Sequence, residues 1–548
     1  MKRYMEHLLH SAEKRVDIFL NTQVKEERDP FYGGMKRPVL DCKPTVYVMA
    51  DAAAVYLNPD SRYYKDEILL KAMESALIFI RNCQREDGSF DYPSCNFLSA
   101  PDTSFCFKRL IATYRLFYKF TKEEELRNLK AGYHFLLTRG LHALLNGGFH
   151  TPNHRWAIAA ALMQGAHLLE KEDPDFSEKL GNRADLYLME GIDGNEDGEY
   201  AERSTGNYNA VVNSAMLSMY EETGDETYLG YVERNLKMML YYIDPDDTIF
   251  TQNSTRQDQG RADYADKYFY QYLYLAARTG NEVFDKAAHK IIKDNMARGD
   301  MAPECLHILM LHDIMKDYEF KGYGFLDTYH KHFLEAGVIR GKTPQYGYSI
   351  LKGKRGFLYL KFGKTLIYLK IGESYCSIRN FIPQTMEETK EGCILTSVEK
   401  GWYYLPFKEK QDTSDWWNMD HKKREILNSS QICMTVTVKE LTDGMEVNVK
   451  SAGLDRVPLR VEICIPSGSI LENEHFYFQT AKGGEMVLRD GYLTLNHENE
   501  SLLIGPGYGT HEFGGHYSGE EVNETGFTIY FNDYTPYERT FFIRRKPL

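Results

Sequence analysis

Four stretches of the chain gather residue types that can bind a polar ligand and move a proton. In NGGFHTPNHRW (146–156), Asn153, His154, Arg155 and Trp156 follow one another just ahead of the apolar run AIAAALM. Pro152 suits the first turn of a helix, so these four residues occupy or adjoin that turn. A neutral imidazole beside an amide and a guanidinium is suited to holding a carboxylate and deprotonating next to it. The structural alternative is an Asn cap, a surface Arg and an inward Trp. Function is favoured here, because a His-Arg-Trp sequence adds nothing to helix stability.

The stretch GIDGNEDGEYAERSTGNYNAVVNSAM (191–216) opens like a calcium loop at Asp193, Asn195, Asp197 and Gly198. Its twelfth position is Ser204 instead of Glu, so calcium is not expected. Glu202, Ser204 and Tyr208 follow, and Tyr208 leads an apolar helix, where a tyrosine ordinarily packs. In TQNSTRQDQGRADYADKYFYQYLY (251–274), Arg256, Gln257, Asp258 and Arg261 precede an aromatic helix. Arginine forks bind carboxylates bidentately, so an acidic ligand and a solvated polar loop are both open readings. In DGSFDYPSCNFLSAPDTSF (87–105), Asp102 is expected to cap a helix and Asn96 to be a substrate contact.

The elements that must position these loops change near residue 340. Up to about 335 the apolar residues recur at helical spacing, as in Leu69, Leu70, Met73, Leu77 and Ile80. From about 345 onward, short alternating runs such as GFLYLKF, TLIYLKI, MTVTV and RVEICI read as antiparallel strands. The boundary is expected within GVIRGKTPQYG, giving domains 1–338 and 339–548. The helical part carries a faint repeat, with polar turns followed by Tyr64, Leu126, Phe176, Tyr228 and Phe284 at separations of 62, 50, 52 and 56 residues. Such a period fits a helical hairpin per unit, and hairpins must stack in an array or close into a ring to bury both faces.

This combination resembles the heparinase II/III-like polysaccharide lyases, most specifically in PNHRW (152–156) and DGEYAERSTGNY (197–208). The resemblance implies an N-terminal (α/α) toroid, an incomplete helical barrel, followed by an antiparallel β-sandwich. In that family an Asn or His on one toroid loop precedes the catalytic Tyr. Here Tyr208 lies 55 residues after Asn153 and 54 after His154. The implied reaction is β-elimination at a uronic acid. Asn153, with an arginine such as Arg256, would neutralise the carboxylate; His154 or a Tyr208 phenolate would take the C5 proton, and Tyr208 would protonate the departing O4.

Arg155, Trp156, Asn96, Glu202, Arg261, Arg379, His330 and His421 complete the expected substrate contacts. The family's H-x-H-x-D segment on an early strand has no counterpart in 347–384, which holds no histidine. His330, His332, His421, His511 and His516 are the replacements available. No cofactor is expected; a structural divalent cation is the one exception the resemblance leaves open.

Composition narrows the partners. With 66 Lys+Arg against 79 Asp+Glu, the net charge of −13 argues against a nucleic-acid or anionic-membrane binder. No apolar run is long enough to span a bilayer. The start MKRYMEHLLHSAEKRV lacks the apolar stretch of a signal peptide, so a cytoplasmic location is expected. Nine scattered cysteines without a CxxC read as buried free thiols. The 40 tyrosines suit either packing or sugar stacking. The expected partner is an acidic oligosaccharide or polysaccharide, and a homo-oligomer stays open. Two alternatives to a lyase stand: a hydrolase on the same toroid, with Asp102, Glu199 and Glu202 as its carboxylates, and a non-catalytic carbohydrate binder.

Overall fold

The structure is a computed structural model and describes residues 1–512 and 522–547. It divides into two compact units, one formed by Met1–Ile243 with Thr248–Phe325, the other by Asp244–Asp247 with Leu326–Leu548. The boundary therefore falls at 325/326 and not at 338/339. The reason is a hairpin: Tyr329–Phe333 pairs antiparallel with Val338–Lys342, Tyr329 opposite Lys342 and Phe333 opposite Val338. A cut at 338 would separate those two strands.

The first unit is built from helices α1 (Lys2–Thr22), α2 (Lys43–Leu57), α3 (Glu67–Cys83), α4 (Ala100–Phe120), α5 (Arg127–Asn146), α6 (Pro152–Leu169), α7 (Pro174–Met189), α8 (Tyr208–Thr223), α9 (Glu226–Leu240), α10 (Phe269–Thr279) and α11 (Glu282–Arg298). Helices α2, α4, α6 and α8 pack against one another in that order, and α3, α5, α7 and α9 each cover the helix before them, as α11 covers α10. This is the helical toroid. Helix α2 is buried along Val48–Leu57 without a break, as an inner helix must be, whereas α7 buries only Phe176, Leu180, Ala184 and Tyr187.

The sequence repeat marks where the outer helices begin. Gly224 and Gly280 end α8 and α10 in the left-handed conformation (φ 72° and 71°), and the residues after them, Asp225 and Asn281, cap α9 and α11 through Thr227 N–H and Val283 N–H. A glycine to stop one helix and an Asx to start the next gives the tight inner-to-outer turn. Among the described residues no helix is long and apolar enough to cross a membrane.

The second unit is a sandwich of two sheets. One runs in the order Gly484–Val487, Phe527–Tyr534, Pro458–Ile465, Thr365–Tyr375, Leu358–Phe362, Gly347–Leu351, Val338–Lys342, Tyr329–Phe333; the other contains the long strands Gly392–Tyr404, Ile426–Leu441 and Gly444–Gly453. Among the described strands, pairing is antiparallel except between Gly484–Val487 and Phe527–Tyr534. Alternation sets the inner faces: Val436 and Val438 stand opposite Val449 and Val447, and they share one core with Leu358, Leu360, Leu369 and Ile371.

The turn Asp244–Asp247, which lies between α9 and α10 in sequence, belongs to this unit. Arg340, 1% exposed, donates to Asp244 at 2.7 Å and to Ser349, and Lys361 pairs with Asp246 at 2.9 Å. Of the nine cysteines, all are free, but only Cys42, Cys106, Cys305, Cys393 and Cys464 are buried; Cys95 is exposed.

Candidate active site

A cavity of about 1330 Å³ opens within the helical unit, and Asn96, His154, Tyr208, Arg256 and Arg261 all line it. Helix α6 contributes His154, Ala157, Ala161 and Gln164, one face at helical spacing, and its alanines leave the space. Helix α8 contributes Tyr208, Val211, Ala215 and Ser218 in the same way.

Tyr208 is the first residue of α8. Its N–H donates to Ser204 Oγ at 2.9 Å, so Ser204 does the capping that its neighbour Asn207 does not. Ser204 in turn donates to Asp258 at 2.9 Å, and Asp258 also accepts from Ser254 Oγ (2.7 Å) and Gly206 N–H (2.9 Å). Asp258 thereby ties the loop before Tyr208 to the loop carrying Arg256. The phenol donates to Gln257 Oε1 at 3.4 Å, and the Arg256 guanidinium carbon lies 5.2 Å from the centre of its ring.

Asn153, expected to act on the substrate carboxylate, and Glu202, expected as a substrate contact, are not among the residues that line the cavity. Asn153 is fully buried and donates its side-chain amide to both Glu202 oxygens (2.8 and 3.0 Å) and its backbone N–H to Oε2 (3.1 Å). Glu202 also lies 3.3 Å from Arg256 Nε. Burial raises the Glu202 pKa, against the opposing pull of Asn153 and Arg256. The pair forms a support beneath Arg256, whose terminal nitrogens bond no described residue.

Arg155 and Trp156 are likewise structural. The indole donates to Asp193, and Arg155 pairs with Glu190 at 2.6 Å while lying 4.1 Å over the Trp156 ring. Both fasten the 190–203 loop, so the structural alternative holds for these two. The same loop uses Asn195 Oδ1 to accept from Glu199 N–H at 2.8 Å. Gly198 (φ +88°) passes so close to Arg234 that a Cβ would stand 2.3 Å from its carbonyl oxygen, which only glycine avoids.

His154 lines the cavity with 8% exposure, edge-on to Phe105 and to His150. Burial first, then the electrostatic influence of His150, Arg256 and Lys43, push its pKa down to about 4, with Asp102 acting in the opposite sense. It is neutral at neutral pH, and its buried Nδ1 has no partner among the described residues.

The cap of α4 is Ser99, which accepts from Asp102 N–H at 3.2 Å; Asp102, expected as the cap, sits in the first turn. Asp102 instead accepts from Ser99 Oγ (2.7 Å), Asn96 Nδ2 (2.9 Å) and the Lys43 ammonium, and despite its burial these partners hold its pKa low. Asn96 Oδ1 faces His150 Nε2 at 3.4 Å. Arg261 is exposed, and its side chain bonds no described residue.

Of the carboxylates proposed for a hydrolase, Glu199 is held by Arg203 (3.3 Å) and Asn253 (3.1 Å), Glu202 by Asn153, and Asp102 by Lys43. No two of them form a free pair.

Arg379, His330 and His421 belong to the β unit. His330 and His332 lie on its first strand, where they bracket Glu388 at 2.5 and 3.0 Å, and His330 Nδ1 reaches the Tyr348 hydroxyl at 2.8 Å. Both bonds lower the Glu388 pKa, the one to His330 most. His330 and His332, both named as replacements, thus stand as an H-x-H pair on a strand that begins before 338, where strands were expected only after it. His421 is taken up by its own loop: Nε2 meets the Trp416 carbonyl at 2.7 Å and Nδ1 accepts from Arg424 at 3.1 Å. Arg379 donates to the Cys376 carbonyl at 3.2 Å. His511 packs against Tyr534, and His516 lies outside the described residues.

Sequence reasoning gave no role to Lys43, Lys108, His150 or Gln257, although all four line the cavity. His150 and Gln257 stood in quoted loops; the two lysines sit on helices whose only legible signal was apolar periodicity.

Neither a protein-family model nor a curated protein matches the sequence. Solved structures do match its fold. A xanthan lyase from Paenibacillus is 10% identical with a TM-score of 0.59 over 100% of this chain, which spans 57% of that longer protein. Heparinase III is 10% identical with a TM-score of 0.59, covering 99% of this chain and 85% of its own. A heparan sulfate lyase mutant from Pedobacter heparinus is 13% identical with a TM-score of 0.55 over 98% and 84%. The chain has the fold of these polysaccharide lyases, a helical toroid followed by an antiparallel β-sandwich.

Proposed function

We propose that this protein is a lyase that cleaves a uronic-acid-containing glycan by β-elimination. The observation that carries this reading is the Tyr208 phenol, set in the cavity beside the Arg256 guanidinium (5.2 Å from its ring) and sharing that cavity with a neutral His154. The likeness in fold to the xanthan, heparan sulfate and chondroitin lyases supports the same class of substrate.

The C5 proton of a uronate leaves only if charge building up on its carboxylate is stabilised. Arg256, propped by Glu202 and Asn153, supplies that stabilisation through its unoccupied nitrogens, with Arg261 at the rim as a second cation. His154 takes the proton. In the free protein it is a weak base, but a bound carboxylate nearby favours its charged form and raises its pKa toward the working range. As the C5–H pair becomes the C4=C5 double bond, the C4–O4 bond breaks and Tyr208 delivers its proton to O4. The cation that holds the substrate carboxylate, the base and the acid thus come from three different segments of the toroid: the loop before α10, α6 and α8. Asn153 is a positioning residue in this scheme, and Asn96 and His150 line the cavity beside the sugar.

The test is a panel of uronate glycans (glycosaminoglycans, alginate, glucuronan, rhamnose-linked glucuronides) assayed for the ultraviolet absorbance of the new double bond. Tyr208→Phe is expected to lose roughly 10²–10⁴ in kcat while the fold is kept. Activity on none of the glycans, or a fully active Tyr208→Phe, overturns the reading.

A further inference from the structure

The cations that line the cavity are not equivalent. Arg15 pairs with Asp51 (2.7 Å), Lys43 with Asp102, Arg109 with Glu304 (3.3 Å), Arg256 with Glu202 (3.3 Å) and Lys267 with Asp263 (3.3 Å). Each is already matched by an acid. Two lining cations have no carboxylate within ion-pair distance among the described residues: Arg261, which is exposed, and Lys108 on α4, which is half-buried. Its ammonium donates to Ser214 Oγ on α8, and Ser214 shares a hydrogen bond with the Tyr270 hydroxyl. All three side chains line the cavity.

This cluster is set apart from the group around Tyr208. Ser214 is six residues beyond Tyr208 on the same helix, about 9 Å along its axis. Lys108 is one turn beyond Phe105, the ring that packs on His154. A half-buried ammonium whose hydrogen-bond partner is a neutral hydroxyl, Ser214 Oγ, retains its charge demand. Burial and the neighbouring Arg109 push the Lys108 pKa down to about 7, opposed by Glu221. Glu221 does not answer that demand by contact, because it pairs with His312 at 3.2 Å and burial raises its own pKa to about 7.

We propose that Lys108, with the Ser214 and Tyr270 hydroxyls, is a second anion-recognition point in the cavity, receiving a sulfate or carboxylate carried by a sugar next to the one at Tyr208. The anion would accept from the ammonium and from both hydroxyls, and would fix which substituted sugar is accepted beside the cleavage point. The placement of that sugar rests on the lyase reading; the anion site itself does not.

Two measurements separate these. In the first, trace acylation of lysines at neutral pH is read by mass spectrometry in sodium chloride, sulfate or acetate of equal ionic strength. Lys108 is expected to be selectively protected by sulfate, by acetate, or by both, which names the anion class. Equal labelling of Lys108 in all three salts overturns the site, whether or not any glycan is cleaved. In the second, Lys108→Gln is expected to raise KM about ten- to hundredfold with kcat retained, and Lys108→Arg to restore most of it. A rise only for the sulfated form of a uronate glycan assigns sulfate; a rise for sulfated and desulfated forms alike assigns carboxylate. An unchanged KM for both removes the specificity role.

Discussion

His154 gives the cavity a pH signature that can be read without substrate. Its pKa stands at about 4 in the folded protein against an ordinary 6.5, chiefly because the ring is buried, and secondarily through the electrostatic influence of His150, Arg256 and Lys43. Between those two values the unfolded chain binds a proton that the folded chain does not, so folding stability rises with pH across the window. The gap, 6.5 less 4, corresponds to roughly 3 kcal/mol. It is fully present above pH 6.5 and lost as pH falls through 4.

The perturbation is His154→Gln, which keeps a polar side chain and removes the titration. Trp156 is the one tryptophan of the helical unit, so urea unfolding of that unit can be followed by fluorescence with Trp402, Trp416 and Trp417 changed to Phe. Wild-type stability minus variant stability is expected to grow by roughly 3 kcal/mol between acid and neutral pH, the titrating groups that do not interact with His154 cancelling in the difference. A difference that stays constant with pH would refute the buried, neutral imidazole and with it the proposed base. If a uronate carboxylate does raise the His154 pKa, glucuronate binding at mildly acidic pH takes up a proton, which calorimetry in buffers of different ionisation enthalpy detects.

Other changes test the supports. Glu202→Gln sets an amide N–H₂ against the Asn153 N–H₂ in a buried site, and is expected to cost roughly 1–3 kcal/mol in urea unfolding, with kcat/KM falling as Arg256 loses its prop. Arg340→Met leaves Asp244 without its guanidinium and is expected to destabilise the β unit by roughly 3–5 kcal/mol, much of it recovered in the Asp244→Leu/Arg340→Met double variant. If the single and double variants unfold alike, the buried pair is not what holds that turn.

Much of the fold is legible because periodicity is a repeated signal. Polar turns ahead of Tyr228 and Phe284 marked the connections that Gly224-Asp225 and Gly280-Asn281 form, and alternation marked Val436, Val438, Val447 and Val449. The site is only half legible. Loop residues at a helix start, such as His154 and Tyr208, face the cavity because the toroid gathers its inner helix ends there. Asn153 and Trp156, one residue before and two after His154, turn away because acids from another loop, Glu202 and Asp193, claim their N–H groups. No local pattern distinguishes the two cases, since the partner lies tens of residues away. Lys108 was hidden for a related reason: its meaning comes from the absence of an acid at a distance that only the assembled helices define. The boundary error had a simpler cause, as the short strand Tyr329–Phe333 is half polar and gives little alternation.

The turn Asp244–Asp247 also bears on how the protein is made. Arg340 follows Asp244 by 96 residues, so at about 5–20 residues per second the ribosome delivers it roughly 5–20 s later. During that interval α10 and α11 emerge, while Asp244 and Asp246 wait for Arg340 and Lys361. The β unit is thus completed by residues synthesised well before its first strand, and a fragment beginning at residue 326 would bury Arg340 without its acid.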